Sequence, residues 1–378
     1  STSGSATMAR LDYITLNYTR QLSMDGSSLF FRNYSDAATD STFSIRGAVD
    51  ETLVWDITKG YAPAAVQTAK ANGVASFRQT ESGIREYVAF NPSATFPAPG
   101  NAGVVGNQNL HGQETPTMLI ITPAAFLSQA ERVAELHRSN DGMKVVVATD
   151  AQVYNEFSSG TPDAMAYRKI SKMWWDRTKT LADNSNDKYR YLLLFGRSLY
   201  DNRRVTPNGR ALTYPTLLTW ESYNSTDEDI SYNSDDPFAY LEDGSNATDP
   251  QALLNIAVGR MPVKTLEEAT TVVDKLYSYV ENKDMGPWRN RVMIIADDAA
   301  NGSFMEQSNE TVDALKANGG ENYVYNHVYI DAFNKIGGKY PDARTKMYDG
   351  LKEGVIYASY LGHAAPTTWT GEGLLLLP

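Results

Sequence analysis

The stretch Val355-Ile356-Tyr357-Ala358-Ser359-Tyr360-Leu361-Gly362-His363-Ala364 reads as an apolar strand that stops on Gly-His. A strand ending this way delivers an imidazole to the carboxyl edge of a sheet, where α/β proteins place their chemistry. The chain contains no cysteine that could partner this histidine. His363 is therefore read as one half of a Cys/His site.

Upstream of this stretch, strand and helix patterns alternate. Val292 to Ala296 reads as a strand ending in Asp297-Asp298, Phe304 to Ala317 as a helix, Tyr323 to Ile330 as a strand and Ala343 to Leu351 as a helix. A first set precedes it. Met118 to Thr122 is a short apolar strand, Ala124 to Arg138 has helical spacing, and Lys144 to Thr149 is a second strand, together a βαβ unit. Pro162 opens a helix running to about Leu181, and Tyr191 to Phe195 and Leu254 to Val258 read as further strands. Thr265 and Glu268 form a capping box for a helix whose apolar stripe is Leu266, Ala269, Val272, Val273, Leu276 and Val280.

Before residue 95 the pattern differs. Leu11 to Tyr18, Ser28 to Tyr34, Thr42 to Arg46, Thr52 to Thr58, Val74 to Gln79 and Arg85 to Phe90 are short, aromatic and β-branched runs between Gly, Asp, Asn and Ser clusters. That spacing predicts antiparallel β-structure. The expected fold is α/β, with parallel sheets and flanking helices behind a β-sandwich-like N-terminal domain. The expected divisions are a disordered lead over 1–8, the β-domain over 9–95, a Pro/Gly/Asn-rich linker over 96–116, and two α/β subdomains over 117–288 and 289–378, the second incomplete.

Composition limits the function. Asp and Glu outnumber Lys and Arg by 45 to 34, giving a formal charge of -11. A nucleic-acid backbone binder needs clustered cations, so nucleic acid is not an expected partner. No apolar run approaches the roughly 20 residues that span a bilayer, and Ser1 to Thr7 lacks the basic and apolar regions of a signal peptide. Six Asn-x-Ser/Thr sequons, at Asn17, Asn33, Asn224, Asn246, Asn301 and Asn309, are as expected by chance in a chain rich in these residues. His111, His137 and His327 lack partners at metal-ligand spacing and read as structural. The acidic loop Asp227, Glu228, Asp229, Asp235, Asp236, Glu242 and Asp243 could ligate Ca2+, but it does not fit the EF-hand consensus and also reads as a solvated loop.

The order Tyr360, Gly362, His363, Trp369 resembles the gingipain-type cysteine peptidases of clan CD, family C25, which have a caspase-like fold. Within that family the chain is most similar to the type IX secretion sortases, the C-terminal signal peptidases. Segments in matching order carry this likeness: Val54-Trp55-Asp56-Ile57-Thr58, Gln108-Asn109-Leu110-His111-Gly112, Val153-Tyr154-Asn155-Glu156-Phe157, Tyr200-Asp201-Asn202, Val258-Gly259-Arg260-Met261-Pro262 and Trp288-Arg289-Asn290.

The resemblance implies a thiolate that attacks a peptide carbonyl, activated by His363, with an acidic residue at Asp297-Asp298, Asp298 being favoured, to orient the imidazole. The backbone N–H at Ala364 would serve an oxyanion hole. The two aspartates also read as simple caps for the segment that follows. Three departures from the family pattern stand out: the nucleophilic cysteine is absent, Ala364 replaces a glycine, and Arg197-Ser198 replaces an Asp-Gly turn. The expectation is a chain truncated before the catalytic cysteine and inactive as it stands, its open sheet edge inviting a dimer.

By the same resemblance, the substrates are C-terminal signal domains of type IX cargo proteins, whose acyl group passes to a surface glycolipid. Other secretion components are expected partners, and the location is the cell surface, the outer membrane or the secreted space. An ordinary secreted endopeptidase and a noncatalytic relative that binds secretion signals or acts as a scaffold are the alternatives.

Overall fold

The computed structural model describes residues 13–34, 41–101, 103–222, 231–245, 252–298, 300–365 and 367–376. The lead over 1–8 and the acids Asp227, Glu228 and Asp229 lie outside them. The chain divides into two compact units, Ser1–Gln108 and Asn109–Pro378.

The first unit is antiparallel. Its strands are β1 (Ser28–Arg32), β2 (Ser41–Arg46), β3 (Leu53–Asp56), β4 (Ala64–Val66), β5 (Ala69–Ala71), β6 (Val74–Gln79) and β7 (Glu86–Phe90). They form two sheets, ordered β1-β7-β3-β4 and β2-β6-β5. Alternation along each strand turns one set of side chains inward. Leu29, Val54, Tyr87 and Ala89 from one sheet meet Ile45 and Phe77 from the other in a single core. Phe43 stacks on Phe77 with ring centroids 5.0 Å apart, and Tyr87 meets Phe77 edge-on at 4.9 Å. The strand expected over Leu11 to Tyr18 is absent from its described part, Tyr13 to Tyr18. Tyr13, Ile14, Leu16 and Tyr18 are all exposed there, so the apolar pattern has no sheet to pair with.

The second unit opens with β8 (Met118–Thr122), α1 (Leu127–Asp141), β9 (Val145–Thr149), α2 (Asp150–Phe157), α3 (Met165–Thr178), β10 (Tyr191–Phe195) and α4 (Pro207–Ala211). A small hairpin of β11 (Trp220–Glu221) and β12 (Asn233–Ser234) follows, then β13 (Ala257–Met261) and α5 (Leu266–Glu281). The main sheet is parallel, ordered β13-β10-β8-β9. Every residue of β8 is buried, because helices cover both faces. Leu119 and Ile121 pack with Tyr167, Ile170 and Trp174 of α3 on one side. Met118 and Ile120 pack with Val133 of α1 and Val273 of α5 on the other.

The strand expected over Leu254 to Val258 begins instead at Ala257. Leu253 and Leu254 are 83% and 48% exposed, and pairing with β10 starts at Ala257 opposite Tyr191. The capping box at α5 is half realised. Thr265 Oγ1 accepts from the Glu268 N–H at 3.1 Å, while the Glu268 carboxylate accepts from the Lys264 N–H at 2.9 Å. Leu266 is 51% exposed and Val280 36%, so the helix buries Ala269 and Val273 rather than the whole expected stripe.

The last elements are β14 (Arg291–Ala296), α6 (Ser303–Leu315), β15 (Val324–Tyr329), α7 (Pro341–Glu353), β16 (Tyr357–Leu361), β17 (Ala364–Ala365), β18 (Thr368–Trp369) and β19 (Leu375–Leu376). β14 to β16 form a second parallel sheet, ordered β15-β14-β16. Val312 of α6 covers Val292 and Ile294 on one face. Ala343 and Met347 of α7 cover Met293 and Ile295 on the other. β17 to β19 make a small antiparallel sheet directly after β16.

Candidate active site

In an open parallel sheet, a crevice forms where successive strands leave the first strand in opposite directions. The second sheet has this switch between β14 and β16. Asp297 follows β14, and Gly362-His363 follows β16. The Asp297 N–H donates to the Leu361 carbonyl at 3.0 Å, which extends the pairing of the two strands to the site itself.

Asp297 is 2% exposed. Its Oδ2 accepts the His363 backbone N–H at 3.0 Å and lies 3.4 Å from His363 Nδ1. The imidazole is 70% exposed and meets the Phe304 ring edge-to-face at 5.4 Å. The sheet thus pins the acid under the histidine and leaves the other ring nitrogen open to solvent.

Asp298, the acid favoured from the sequence, turns away from the imidazole. It accepts the Tyr340 hydroxyl at 2.6 Å and lies 3.7 Å from Lys335 Nζ, which also pairs with Glu372 at 2.9 Å. Burial pushes the Asp298 carboxyl up. The Tyr340 hydrogen bond and the Lys335 charge oppose it, and the group lies below its ordinary value. Tyr340, Lys335, Glu372 and Phe304 carried no sequence signal for this site, because loops distant in the chain bring them together.

Among the described residues, Asp297, Asp298 and Glu372 are the three acids close enough to share a cation, and Lys335 already sets its ammonium against two of them. Two described members of the acidic loop, Asp235 and Asp243, are engaged elsewhere. Asp235 receives Arg260 through two bonds of 2.7 and 2.8 Å, and Asp243 pairs with Lys172 at 3.0 Å. These two carboxylates are matched by protein cations.

Ala364 opens β17 opposite Trp369. A cavity of about 100 Å³ lies beside the acids, lined by Ile330, Tyr340, Pro341, Thr370 and Leu374 among others. The switch point of the first sheet, between β8 and β10, is filled by contrast. Thr122 Oγ1 donates to the Phe195 carbonyl at 3.0 Å, and Arg260 donates to the Gly196 carbonyl at 2.9 Å. A β carbon at Gly196 would already touch Pro123 and Leu217. Arg197-Ser198 therefore follows a filled switch point.

The model of peptidase family C25 matches residues 111–377. This chain belongs to peptidase family C25. The crystal structure of dimeric latent PorU from Porphyromonas gingivalis matches with a TM-score of 0.60 and 33% sequence identity. The match covers 68% of this chain and 25% of that one, so the chain spans about a quarter of the length of PorU. A search of curated proteins returned no match. No described helix is long and apolar enough to cross a membrane. The remaining histidines of this C25 chain sit apart from the crevice: His111 Nδ1 is 2.6 Å from Glu156, His137 Nδ1 is 2.6 Å from Asp141, and His327 contacts the Tyr329 hydroxyl.

Proposed function

We propose that His363 is the acid–base residue of a cysteine peptidase site and that Asp297 orients it. The observation that carries this reading is the buried Asp297 carboxylate beneath an exposed imidazole at the switch point of the second sheet. A carboxylate at Nδ1 favours the tautomer with its proton there and leaves Nε2 free to take a thiol proton and return it to the leaving amine. No residue of the chain is a cysteine, so the thiolate in this reading comes from outside these 378 residues. The Ala364 N–H is the proposed oxyanion donor, and Asp298 holds charge beside the pair through Tyr340 and Lys335.

The likeness to PorU supports a finer reading. The substrate is the peptide bond ahead of a C-terminal secretion signal on a type IX cargo protein. The thiolate takes the acyl group, the signal leaves with the proton from His363, and an amine of a surface glycolipid attacks the thioester, at the cell surface or outer membrane. The outer edge of β16, where Tyr357 is 54% exposed, suits pairing with a second copy. A purely monomeric sedimentation boundary would count against that pairing.

The test is mass spectrometry of a signal-bearing cargo incubated with a longer, cysteine-containing chain and an amine acceptor. Cargo joined to the amine supports transfer. A hydrolysed product alone selects an ordinary endopeptidase, and binding without cleavage selects a noncatalytic relative.

A further inference from the structure

Tyr360 and Trp369 belong to the motif around His363 yet take no part in the proton transfers above. We propose that Tyr360 is a positioning residue for His363 and that Trp369 braces it. The functional meaning of this role rests on His363 being the acid–base residue; the geometric role does not.

The argument starts from how little holds the imidazole. The ring is 70% exposed, its Nδ1 is 3.4 Å from Asp297, and Phe304 offers one edge-to-face contact. Its place is therefore set by its backbone. The His363 N–H donates to Asp297 at 3.0 Å. The His363 carbonyl accepts two donors, the Tyr360 hydroxyl and the Thr370 N–H, the latter at 2.9 Å. The residue is thus gripped at both ends, and two of the three groups involved are side chains.

The Tyr360 ring cannot swing away easily, because it lies flat on Trp369, with centroids 4.4 Å apart and planes 7° from parallel. Trp369 sits on β18, paired with Ala364 on β17. The aromatic pair therefore ties the end of β16 to the hairpin that follows His363. Burial, and the negative charge of Asp297, push the Tyr360 hydroxyl up to about 12, so it stays a donor at neutral pH. The hydroxyl reaches the carbonyl by passing over Gly362, where a β carbon would sit 2.6 Å from it.

The test uses the chain as it stands, with 15N-labelled imidazoles read by NMR at mildly alkaline pH. His111, His137 and His327 serve as internal references. Which ring nitrogen keeps the proton depends on what the other groups nearby accept or donate, so the tautomer ratio reports the ring's placement against Asp297. Tyr360→Phe should lower the ratio of Nδ1–H to Nε2–H forms of His363 by roughly threefold or more, the scale of a partly lost hydrogen bond. The references should not move. Trp369→Ala should act in the same direction, and Trp369→Phe, which keeps a stacking ring, should restore most of the wild-type ratio.

An unchanged His363 ratio in a folded Tyr360→Phe protein overturns the proposal. If that variant does not fold, equal ratios in Trp369→Ala and Trp369→Phe overturn it instead. Either result leaves the peptidase reading to its own test on a thiol. Loss of the peptidase reading, with these shifts intact, leaves Tyr360 as a positioning residue for a noncatalytic histidine.

Discussion

A β carbon at residue 362 would lie 2.4 Å from the β carbon of Asp297. Gly362 is thus the condition for Asp297 to sit under the strand end that carries His363. Overfilling a packed position costs about 1–3 kcal/mol. Gly362→Ala should lower thermal stability by that amount and displace Asp297 from the imidazole. Thermal melts together with the His363 15N shifts would show both effects, and a variant with unchanged stability and shifts would contradict this placement.

The Asp298 carboxyl lies below its ordinary value, against the upward push of burial, with the Tyr340 hydroxyl and the Lys335 charge favouring its ionised form. A depressed folded-state value adds stability that is present above the unfolded carboxyl value, about 3.9, and lost as pH falls through the folded one. Tyr340→Phe removes the hydroxyl donor and shrinks that contribution. The stability gap between wild type and variant should therefore be steady near neutral pH and close below roughly pH 4. Urea melts across this range would reveal a gap that widens in acid if the assignment is wrong.

Arg260 on β13 explains why Val258-Gly259-Arg260 stands out in the sequence. Its guanidinium forks onto Asp235 and also donates to the Gly196 and Leu218 carbonyls at 2.9 Å each. The side chain is 10% exposed. Lysine cannot reproduce a planar fork, so Arg260→Lys should cost about 3 kcal/mol, measured by chemical denaturation. A loss within error of zero would show the network to be dispensable.

These cases mark what the sequence could disclose. Val74 to Gln79, Met118 to Thr122 and Tyr191 to Phe195 are strands with the bounds read from their residues, because alternation or an unbroken apolar run ends at a turn former. The α2 helix was missed, although Thr149 and Gln152 form a full capping box, because its eight residues show little apolar period. Leu254 misled because a parallel strand begins where its neighbour offers partners, which no local pattern records. That His363 follows the strand β16 was legible from the apolar run before it. That Asp297 rather than Asp298 faces it depends on one residue of register between β14 and β16, and Lys335 and Tyr340 arrive on a loop and a helix start. Such contacts are tertiary and leave no spacing to read.

The segment that opens the second unit is anchored by one acid. Glu156 on α2 accepts the Leu110 N–H at 2.6 Å, the His111 N–H at 3.0 Å and His111 Nδ1 at 2.6 Å, and the His111 ring stacks on Phe157. Glu156→Ala leaves two amides without their acceptor, at a cost of about 1–3 kcal/mol. Hydrogen exchange at Leu110 and His111 should accelerate while β8 and β10 keep their protection. Uniform acceleration across the unit would point to global destabilisation instead.

The central claim is that His363, held over Asp297, activates a thiol. The most direct measurement is the rate at which a peptidyl electrophile labels a longer chain that includes a cysteine after residue 378, with and without His363→Ala. General-base activation by a positioned histidine contributes roughly 10²-fold or more. The account predicts that one cysteine labels rapidly and that the rate falls by about that factor in His363→Ala, with a smaller fall in Asp297→Asn. Equal labelling rates for wild type and His363→Ala, in folded proteins, would contradict it.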